Sequence, residues 1–305
     1  MLLQGFRGVG GALYAAPMTD TTTDSTAFGK NDLVLYELRN GVATITLNRP
    51  SAANAQDRAV TYALDEAFSR FATDDNAAVA ILRGEGKHFS SGHDTSPHAD
   101  FTTNFPLRTL WWEHKSMATA EGIMAFEEEA WLGMCFRWRE LPKPTIALVT
   151  GACIGGGLAL AWACDFIVAS TDAFFSDPVL TMGCPGIEFF CHPYALGTRR
   201  AKEFLFTGER LPAQRAYELG MVNHVWERDE IVEQTTKLAE RIAERSRFAL
   251  ALAKKAVNVA EEGMGLRTGI EHAFALHSLS HAHNLHTCGM AVQVMDPKAL
   301  RKASE

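Results

Sequence analysis

The sequence predicts an α/β fold in which strands and helices alternate and the last third of the chain is nearly all helical. Short apolar stretches of strand length recur between longer stretches with apolar residues at helical spacing. Two of the strands are joined by Asn40-Gly41, the strongest short hairpin signal. Alternation of this kind is typical of crossover connections between parallel strands.

The predicted elements divide the chain into three parts. Residues 1–29 are expected to be a flexible leader in which Met18 could be the functional start, and a cleaved targeting segment is the alternative. Residues 30–235 form the core and residues 236–305 a helical region. The expected strands are 33–38, 42–47, 78–82, 145–149 and 165–169. The expected helices are 58–72, 158–163, 201–206, 212–219, 231–243, 249–260 and 269–283.

Composition excludes several classes of function. The 305 residues are 47 % hydrophobic and 21 % charged, with a formal net charge of -7, so nucleic acid is not expected as a partner. No apolar run is long enough to span a bilayer, which predicts that the membrane is not a partner either. The six cysteines show no paired spacing, which favours a reducing compartment and hence a cytoplasmic location.

Two glycine-containing loops are the candidate chemical site. Residues 87–94 (KHFSSGHD) follow a buried strand, and residues 151–158 (GACIGGGL) lie between a strand and a helix. Glycine lets the backbone approach a ligand closely, and a helix start leaves free N–H groups. If the loops face each other, two amides could hold one oxyanion. The structural alternative is that the glycine triplet only allows a close contact between helix and sheet.

These loops and their surroundings resemble the crotonase (enoyl-CoA hydratase/isomerase) superfamily. The motifs are LNRP at 47–50, HFSSGHD at 88–94, LPKPTIALVTGACIGGGLALAWACD at 141–165 and FSDP at 175–178, and the similarity continues to about residue 258. The resemblance implies a spiral of ββα turns and a helical C-terminal region that builds homotrimers or dimers of trimers. It also implies an acyl-CoA thioester substrate, with coenzyme A as part of the substrate, no separate cofactor and no metal.

Carried over by position, the resemblance assigns the oxyanion-hole amides to the backbone of His93 and Gly156. The alternative for His93 is that its imidazole carries a proton. Neighbouring residues are expected to bind the substrate or its CoA portion: Arg49, Ser91, Gly92, Asp94, Gly155 and Gly157. A surface role for Arg49 and a loop-bracing role for Asp94 are the structural alternatives.

The two glutamates of typical hydratases in the superfamily are missing. Their positions hold Ala159 and Val179, which cannot transfer a proton, so water addition by paired carboxylates is unsupported. Two acids are candidates to replace them. Glu188 follows the Pro185-Gly186 turn, near where divergent members place a catalytic carboxylate, and Asp177 resembles the acid of β-diketone hydrolases. Each could be structural instead, and His192 is a weaker candidate.

Other residues could reach the pocket or simply support the fold. Trp111, Trp131 and Trp138 could cover a bulky acyl group or pack the core, and Glu113 could approach the same pocket. Glu127–Glu129 could reach it too, although a charge run of this kind is usually a solvated helix face. The C-terminal histidines lack a metal-binding motif and are interpreted as surface or interface residues: His272, His277, His281, His283 and His286.

Three functions remain open on sequence grounds. The first is an acyl-CoA enzyme that stabilises a thioester enolate, either a lyase or an isomerase. The second is a hydrolase of a carbon–carbon bond or a thioester in which Asp177 activates water. The third is a non-catalytic subunit that binds CoA esters, which the loss of both glutamates makes credible.

Overall fold

The computed structural model describes residues 24–96 and 119–293. Trp111 and Glu113, which the sequence places near the pocket, lie outside the described residues, as does most of the expected leader.

The described residues form ten strands, ten α-helices and a π-helical stretch. The strands are β1 (Asp24–Phe28), β2 (Val34–Arg39), β3 (Val42–Leu47), β4 (Val79–Gly84), β5 (Thr145–Val149), β6 (Ala152–Ile154), β7 (Phe166–Ser170), β8 (Phe174–Ser176), β9 (Leu211–Pro212) and β10 (His224–Trp226). The helices are α1 (Arg58–Thr73), α2 (Ala120–Glu127), α3 (Met134–Arg139), α4 (Gly156–Ala163), α5 (His192–Leu196), α6 (Thr198–Thr207), α7 (Ala213–Glu218), α8 (Ile231–Ala243), α9 (Arg247–Gly263) and α10 (Leu266–Cys288). The π-helical stretch, Glu128–Gly133, joins α2 to α3.

The strands make two sheets. The larger has seven strands in the order β1-β2-β3-β4-β5-β7-β10, and the smaller has three in the order β6-β8-β9. Strands β1 to β3 pair antiparallel, whereas each later neighbour in the large sheet pairs parallel. The predicted α/β fold is confirmed.

The hairpin between β2 and β3 forms as predicted. Asn40 and Gly41 have φ angles of 50° and 76°, so both adopt the positive φ that a type I′ turn requires. The turn sets a register in which Tyr36 lies opposite Ile45, and both side chains are buried.

The parallel strands are buried on both faces. Along β4, Leu82 belongs to the core on the α1 side and Ile81 to the core on the α8 side. Helix α1 contributes Phe68 and Phe71 to the first core. Each large apolar side chain that is fully buried stabilises the fold by roughly 1.5–3 kcal/mol. A strand covered on both sides is held firmly, so the loops that follow β4 and β5 start from fixed points.

Two boundaries differ from the expected division of the chain. Residues 24–28 lie in the expected leader, yet they form β1 and pair with β2. The sequence DSTAF shows no alternation of apolar and polar residues. This edge strand is largely exposed, so it has no buried face that would require apolar side chains. The expected boundary between residues 235 and 236 falls inside α8, whose apolar face packs on the sheet.

The C-terminal helices leave apolar side chains at the surface. Phe248, Leu252, Val257 and Val259 of α9 are exposed. The homotrimer that the resemblance implies stays a prediction. No helix in residues 24–96 or 119–293 is long and apolar enough to cross a bilayer.

Candidate active site

The two candidate loops meet because β4 and β5 are parallel neighbours. Their carboxyl ends lie at the same edge of the sheet, and the loops that leave them run side by side. Backbone hydrogen bonds join the loops: the Phe89 N–H donates to Thr150 O at 2.8 Å, Ser90 N–H to Ala152 O at 3.1 Å, and Ile154 N–H to Ser90 O at 3.0 Å.

Glycines bring the two loops closer than other residues would allow. Gly92 has a φ of +90°, and a Cβ there would lie 2.7 Å from Ile154 O and 3.0 Å from Gly156 N. Within the described residues, the backbone amides of His93 and Gly156 donate to no backbone carbonyl. The predicted oxyanion-hole residues therefore lie together, each with an N–H group free of the protein's own backbone.

The imidazole of His93 lies between an indole ring and a glycine. It stacks on Trp131 with ring centroids 3.5 Å apart and planes inclined by 19°. On the other side, a Cβ on Gly156 would come within 2.6 Å of His93 Cε1. Its Nε2 is 3.0 Å from a carboxylate oxygen of Glu188. The candidate acid Glu188 is thus brought directly to the oxyanion loop.

The charge of Glu188 is stabilised by its neighbours. Burial alone would raise the pKa of the carboxyl group, but attraction to His93, the hydrogen bond with it, and His277 together hold that pKa below its ordinary value. Glu188 is therefore ionised at neutral pH.

Three further residues extend this cluster into the protein. His277 Nε2 lies 3.5 Å from Glu188 Oε1 and 3.6 Å from Glu127 Oε2. His281 Nε2 lies 3.0 Å from Glu127 Oε1 and 2.9 Å from His277 Nε2. The side chains of His277, Glu127, Glu188 and His281 are at most 6 % exposed. Two carboxylates and two imidazoles thus share one enclosed space.

His281 is the positive member of this cluster. Burial alone would lower its pKa, but hydrogen bonds with Cys184 and Glu127, together with the negative charge of Glu127, raise the pKa to about 11. Donor atoms of Glu127, Glu188 and His277 lie within 4.8 Å of one another, a spacing that a metal ion could also bridge. The expected absence of a metal stays a prediction.

The interpretation of His277 and His281 as surface or interface residues was wrong, because both are buried within the chain itself. For Glu127, the structure excludes the alternative of a solvated helix face, because this residue is buried beside the two histidines. The signal for the histidines was their spacing of four residues, which places both on one face of α10. The signal for Glu127 was weaker, because its partners are about 150 residues away in sequence.

Asp177 belongs to a second, separate buried pair. Its carboxylate accepts hydrogen bonds from the His192 imidazole at 2.8 Å and from the Ile187 backbone N–H at 3.1 Å. Both Asp177 and His192 are completely buried. Because Ile187 precedes Glu188, Asp177 helps to fix the loop that presents Glu188. The catalytic role of Asp177 stays a prediction.

The predicted CoA contacts mostly brace the first loop. Arg49 donates to Ala55 O at 2.8 Å and to the Asp94 carboxylate at 3.1 Å, and it lies 3.4 Å from the Asp57 carboxylate. Asp94 also accepts a hydrogen bond from the Ser96 N–H at 3.0 Å.

Three of the other predicted binding residues hold the loops in register. Ser91 N–H donates to Ala53 O at 2.9 Å and Gly155 N–H to Ser176 O at 3.0 Å. A Cβ on Gly157 would lie 2.8 Å from the backbone oxygen of Ser90. The binding roles predicted for these residues stay predictions.

A small apolar cavity occupies the position of one missing glutamate. It has a volume of about 10 Å³ and is lined by Ala159, His93, Trp131 and Trp138 among others. Trp138 packs on Phe68 in the core, whereas Trp131 contacts the site through His93. The cavity would hold about one water molecule.

The chain is similar to enzymes of one family. The sequence profile of the enoyl-CoA hydratase/isomerase family matches residues 37–111 and 112–292. An enoyl-CoA hydratase of Mycobacterium tuberculosis, EchA13, is 40% identical over 250 residues, covering 79% of this chain and 78% of the relative. 4-Chlorobenzoyl coenzyme A dehalogenase-2 of an Arthrobacter species is 30% identical over 261 residues, covering 82% of this chain and 87% of the relative.

Solved structures agree with the sequence matches. The crystal structure of an enoyl-CoA hydratase from Mycobacterium smegmatis superimposes with a TM-score of 0.78 and 44% identity, covering 86% of this chain and 99% of that one. The resemblance to the crotonase superfamily and the predicted crotonase-type fold are confirmed. The chain therefore belongs to the enoyl-CoA hydratase/isomerase family.

Proposed function

We propose that this protein binds an acyl-CoA thioester and stabilises its enolate, as an isomerase or an atypical hydratase. The observation that carries the proposal is the meeting of two loops that bring together the amides of His93 and Gly156, with the ionised Glu188 in contact with the His93 imidazole. Two such amides can bind the oxygen of a thioester carbonyl. They bind it more strongly as negative charge develops there, which lowers the barrier to removing a proton from the neighbouring carbon.

The surroundings of the site favour proton transfer over paired-carboxylate hydration. Ala159 and Val179 provide no group to hold an attacking water molecule, whereas a single base is enough to move a proton within the acyl chain. Trp131, which stacks on His93, supports an apolar environment for the acyl group. Relatives that are 40% and 30% identical to the chain are named as a hydratase and a dehalogenase, so family membership leaves the reaction itself to be decided by the site.

Isotope labelling tests the proposal. The full chain is incubated with enoyl-, dienoyl-, aryl- and β-keto acyl-CoA thioesters in D2O enriched in oxygen-18, and the products are analysed by mass spectrometry. Deuterium at Cα without oxygen-18 is expected and identifies enolate chemistry. Addition of labelled water across the double bond would assign a hydratase. Cleavage with oxygen-18 in the acid would instead support the hydrolase with Asp177. Binding without any label would overturn the proposal in favour of a non-catalytic subunit.

The close approach of the loops gives a second prediction. In Gly92→Ala, a Cβ meets Ile154 O and Gly156 N and pushes the two amides apart. We expect Cα exchange to slow by about 10- to 100-fold, since small displacements of reacting groups are costly. Gly220→Ala is the matched control, because Gly220 also has a positive φ but nothing lies within 4 Å of the added Cβ. It should lose some stability and keep the exchange rate. Equal exchange rates in both variants would contradict the expected geometry.

A further inference from the structure

We propose that the imidazole of His93 is the base that removes and returns the substrate proton through Nδ1, and that Glu188 positions it. This inference rests on the proposed enolate function and assigns the proton-carrying group within it. It gives a catalytic role to the side chain of His93, whereas the family resemblance assigns a role only to the backbone amide of this residue.

The first argument is the tautomer of His93. A carboxylate ion can only accept hydrogen bonds, so the contact of 3.0 Å between Glu188 Oε2 and His93 Nε2 places a proton on Nε2. In the neutral ring, Nδ1 is then a bare lone pair. Nδ1 is also buried and makes no hydrogen bond within the described residues. A buried basic nitrogen without a partner is costly, and it is expected where a substrate supplies the missing contact.

The second argument is that the other histidines of the cluster do not donate a hydrogen bond to Glu188, so that His93 is its donor. His277 Nδ1 lies 2.7 Å from Gly186 O and His281 Nδ1 lies 2.7 Å from Ala291 O. Carbonyl oxygens only accept, so both Nδ1 atoms carry protons. The two Nε2 atoms are 2.9 Å apart, so one of them must carry a proton and donate it to the other. His281, the imidazolium paired with Glu127, supplies that proton.

With that proton on His281, the Nε2 atom of His277 is the hydrogen-bond acceptor. His277 therefore has no N–H to donate to Glu188, in agreement with the longer contact of 3.5 Å. Among the described side chains, His93 is left as the hydrogen-bond donor to Glu188. Glu127 and His281 neutralise each other, whereas the negative charge of Glu188 is balanced only when His93 becomes an imidazolium.

The reaction step follows from this charge balance. His93 Nδ1 takes a proton from Cα of the thioester, and the electrons of the C–H bond move to the carbonyl oxygen. The resulting enolate oxygen is held by the amides of His93 and Gly156, and the new imidazolium is held by Glu188. Return of the proton from Nδ1 to Cα or to another carbon of the enolate regenerates the neutral ring. The positive charge forms on the imidazole beside Glu188, and the negative charge forms on the oxygen held by the two amides. Each charge is stabilised as it develops, which lowers the barrier.

Glu188 itself is less suited to this task. Its carboxylate is enclosed by two imidazoles, and His93 stands between it and the amide of Gly156. A carboxylate that is so strongly stabilised as an ion is a poor proton acceptor. The arrangement corresponds to a histidine base oriented by a buried carboxylate.

Chemical rescue tests the assignment. We expect His93→Ala, which keeps the backbone amide, to lower the rate of Cα–deuterium exchange by about 10²- to 10⁴-fold. Free imidazole should enter the space left by the side chain and restore part of the rate in proportion to its concentration. His93→Gln fills the space and keeps an N–H group for Glu188, so it should be equally slow and not respond to imidazole. His283→Ala removes an exposed histidine and should behave as wild type, with or without imidazole.

The outcomes separate this inference from the proposed function. Absence of exchange in the wild-type protein would overturn the proposed function. Exchange in wild type that persists in His93→Ala, or a loss that imidazole leaves unchanged although CoA-ester binding is normal, would overturn only the role of His93. A stoichiometric metal in the purified protein that disappears in His277→Gln would also overturn it, because Glu188 would then be a ligand.

Discussion

Glu188→Gln should lower kcat by about 10³- to 10⁴-fold with little change in KM, because the amide no longer fixes the tautomer of His93. A glutamine side chain can turn its NH2 group towards His93 Nε2, which makes Nε2 the acceptor and places the proton on Nδ1. The base is then blocked, and the imidazolium that forms during the reaction loses its counter-ion. Steady-state kinetics with the best thioester from the labelling panel measure the effect.

Two variants make this result specific. Glu188→Asp keeps the charge one methylene further from the ring and should recover part of the rate. Glu230→Gln removes the same charge at an exposed position and should leave both constants unchanged. If Glu188→Gln raised KM and left kcat intact, Glu188 would bind the substrate instead of orienting the base.

Glu127→Leu should destabilise the protein by about 3–5 kcal/mol, because it leaves the His281 imidazolium buried without its partner. His281→Leu should cost a similar amount, since it strands the Glu127 carboxylate. The double variant should recover most of the loss, because no unpaired charge remains. Urea unfolding monitored by circular dichroism gives the three free energies. A double-variant cost equal to the sum of the two single costs would mean that the pair is not coupled.

The same pair predicts a dependence of stability on pH. The pKa of His281 is raised from 6.5 to about 11 in the folded state, so the protonated form stabilises the fold. This stabilisation is complete below about pH 6.5, where the unfolded chain is also protonated, and is lost as the pH rises towards 11. The cost of Glu127→Leu should therefore be larger at pH 6 than at pH 9. The exposed pair of Glu233 and Lys237 is the control, and Glu233→Gln should give no resolvable change at either pH.

The features predicted from sequence are those with a local cause. The hairpin at Asn40-Gly41 follows from the positive φ angles that these two residues tolerate. The meeting of the two glycine loops follows from the order of the parallel strands before them. Glu188 was found because it stands next to a recognisable turn, although its contact with His93 was not predicted.

The residues that sequence analysis missed acquire their roles from contacts with residues far away in the sequence. Glu127 acquires its role from α10, and a run of three glutamates gives no sign of which one faces inwards. The π-helical stretch that begins directly after Glu127 carries Trp131 onto His93, and helix irregularities of this kind are frequent at functional sites. Neither the tautomer of His93 nor the charge of His281 can be inferred without these contacts.

The position of α10 also has a consequence for how the protein is made. The two loops of the candidate site lie within the first 160 or so residues of the chain. His277, which lies beside Glu188, and His281, which pairs with Glu127, both come from α10, and the carbonyl that orients His281 belongs to Ala291. A nascent chain on the ribosome can therefore join the two loops before the side chains behind Glu188 are in place. We expect the cluster of two carboxylates and two imidazoles to assemble only after the last helix has emerged and docked.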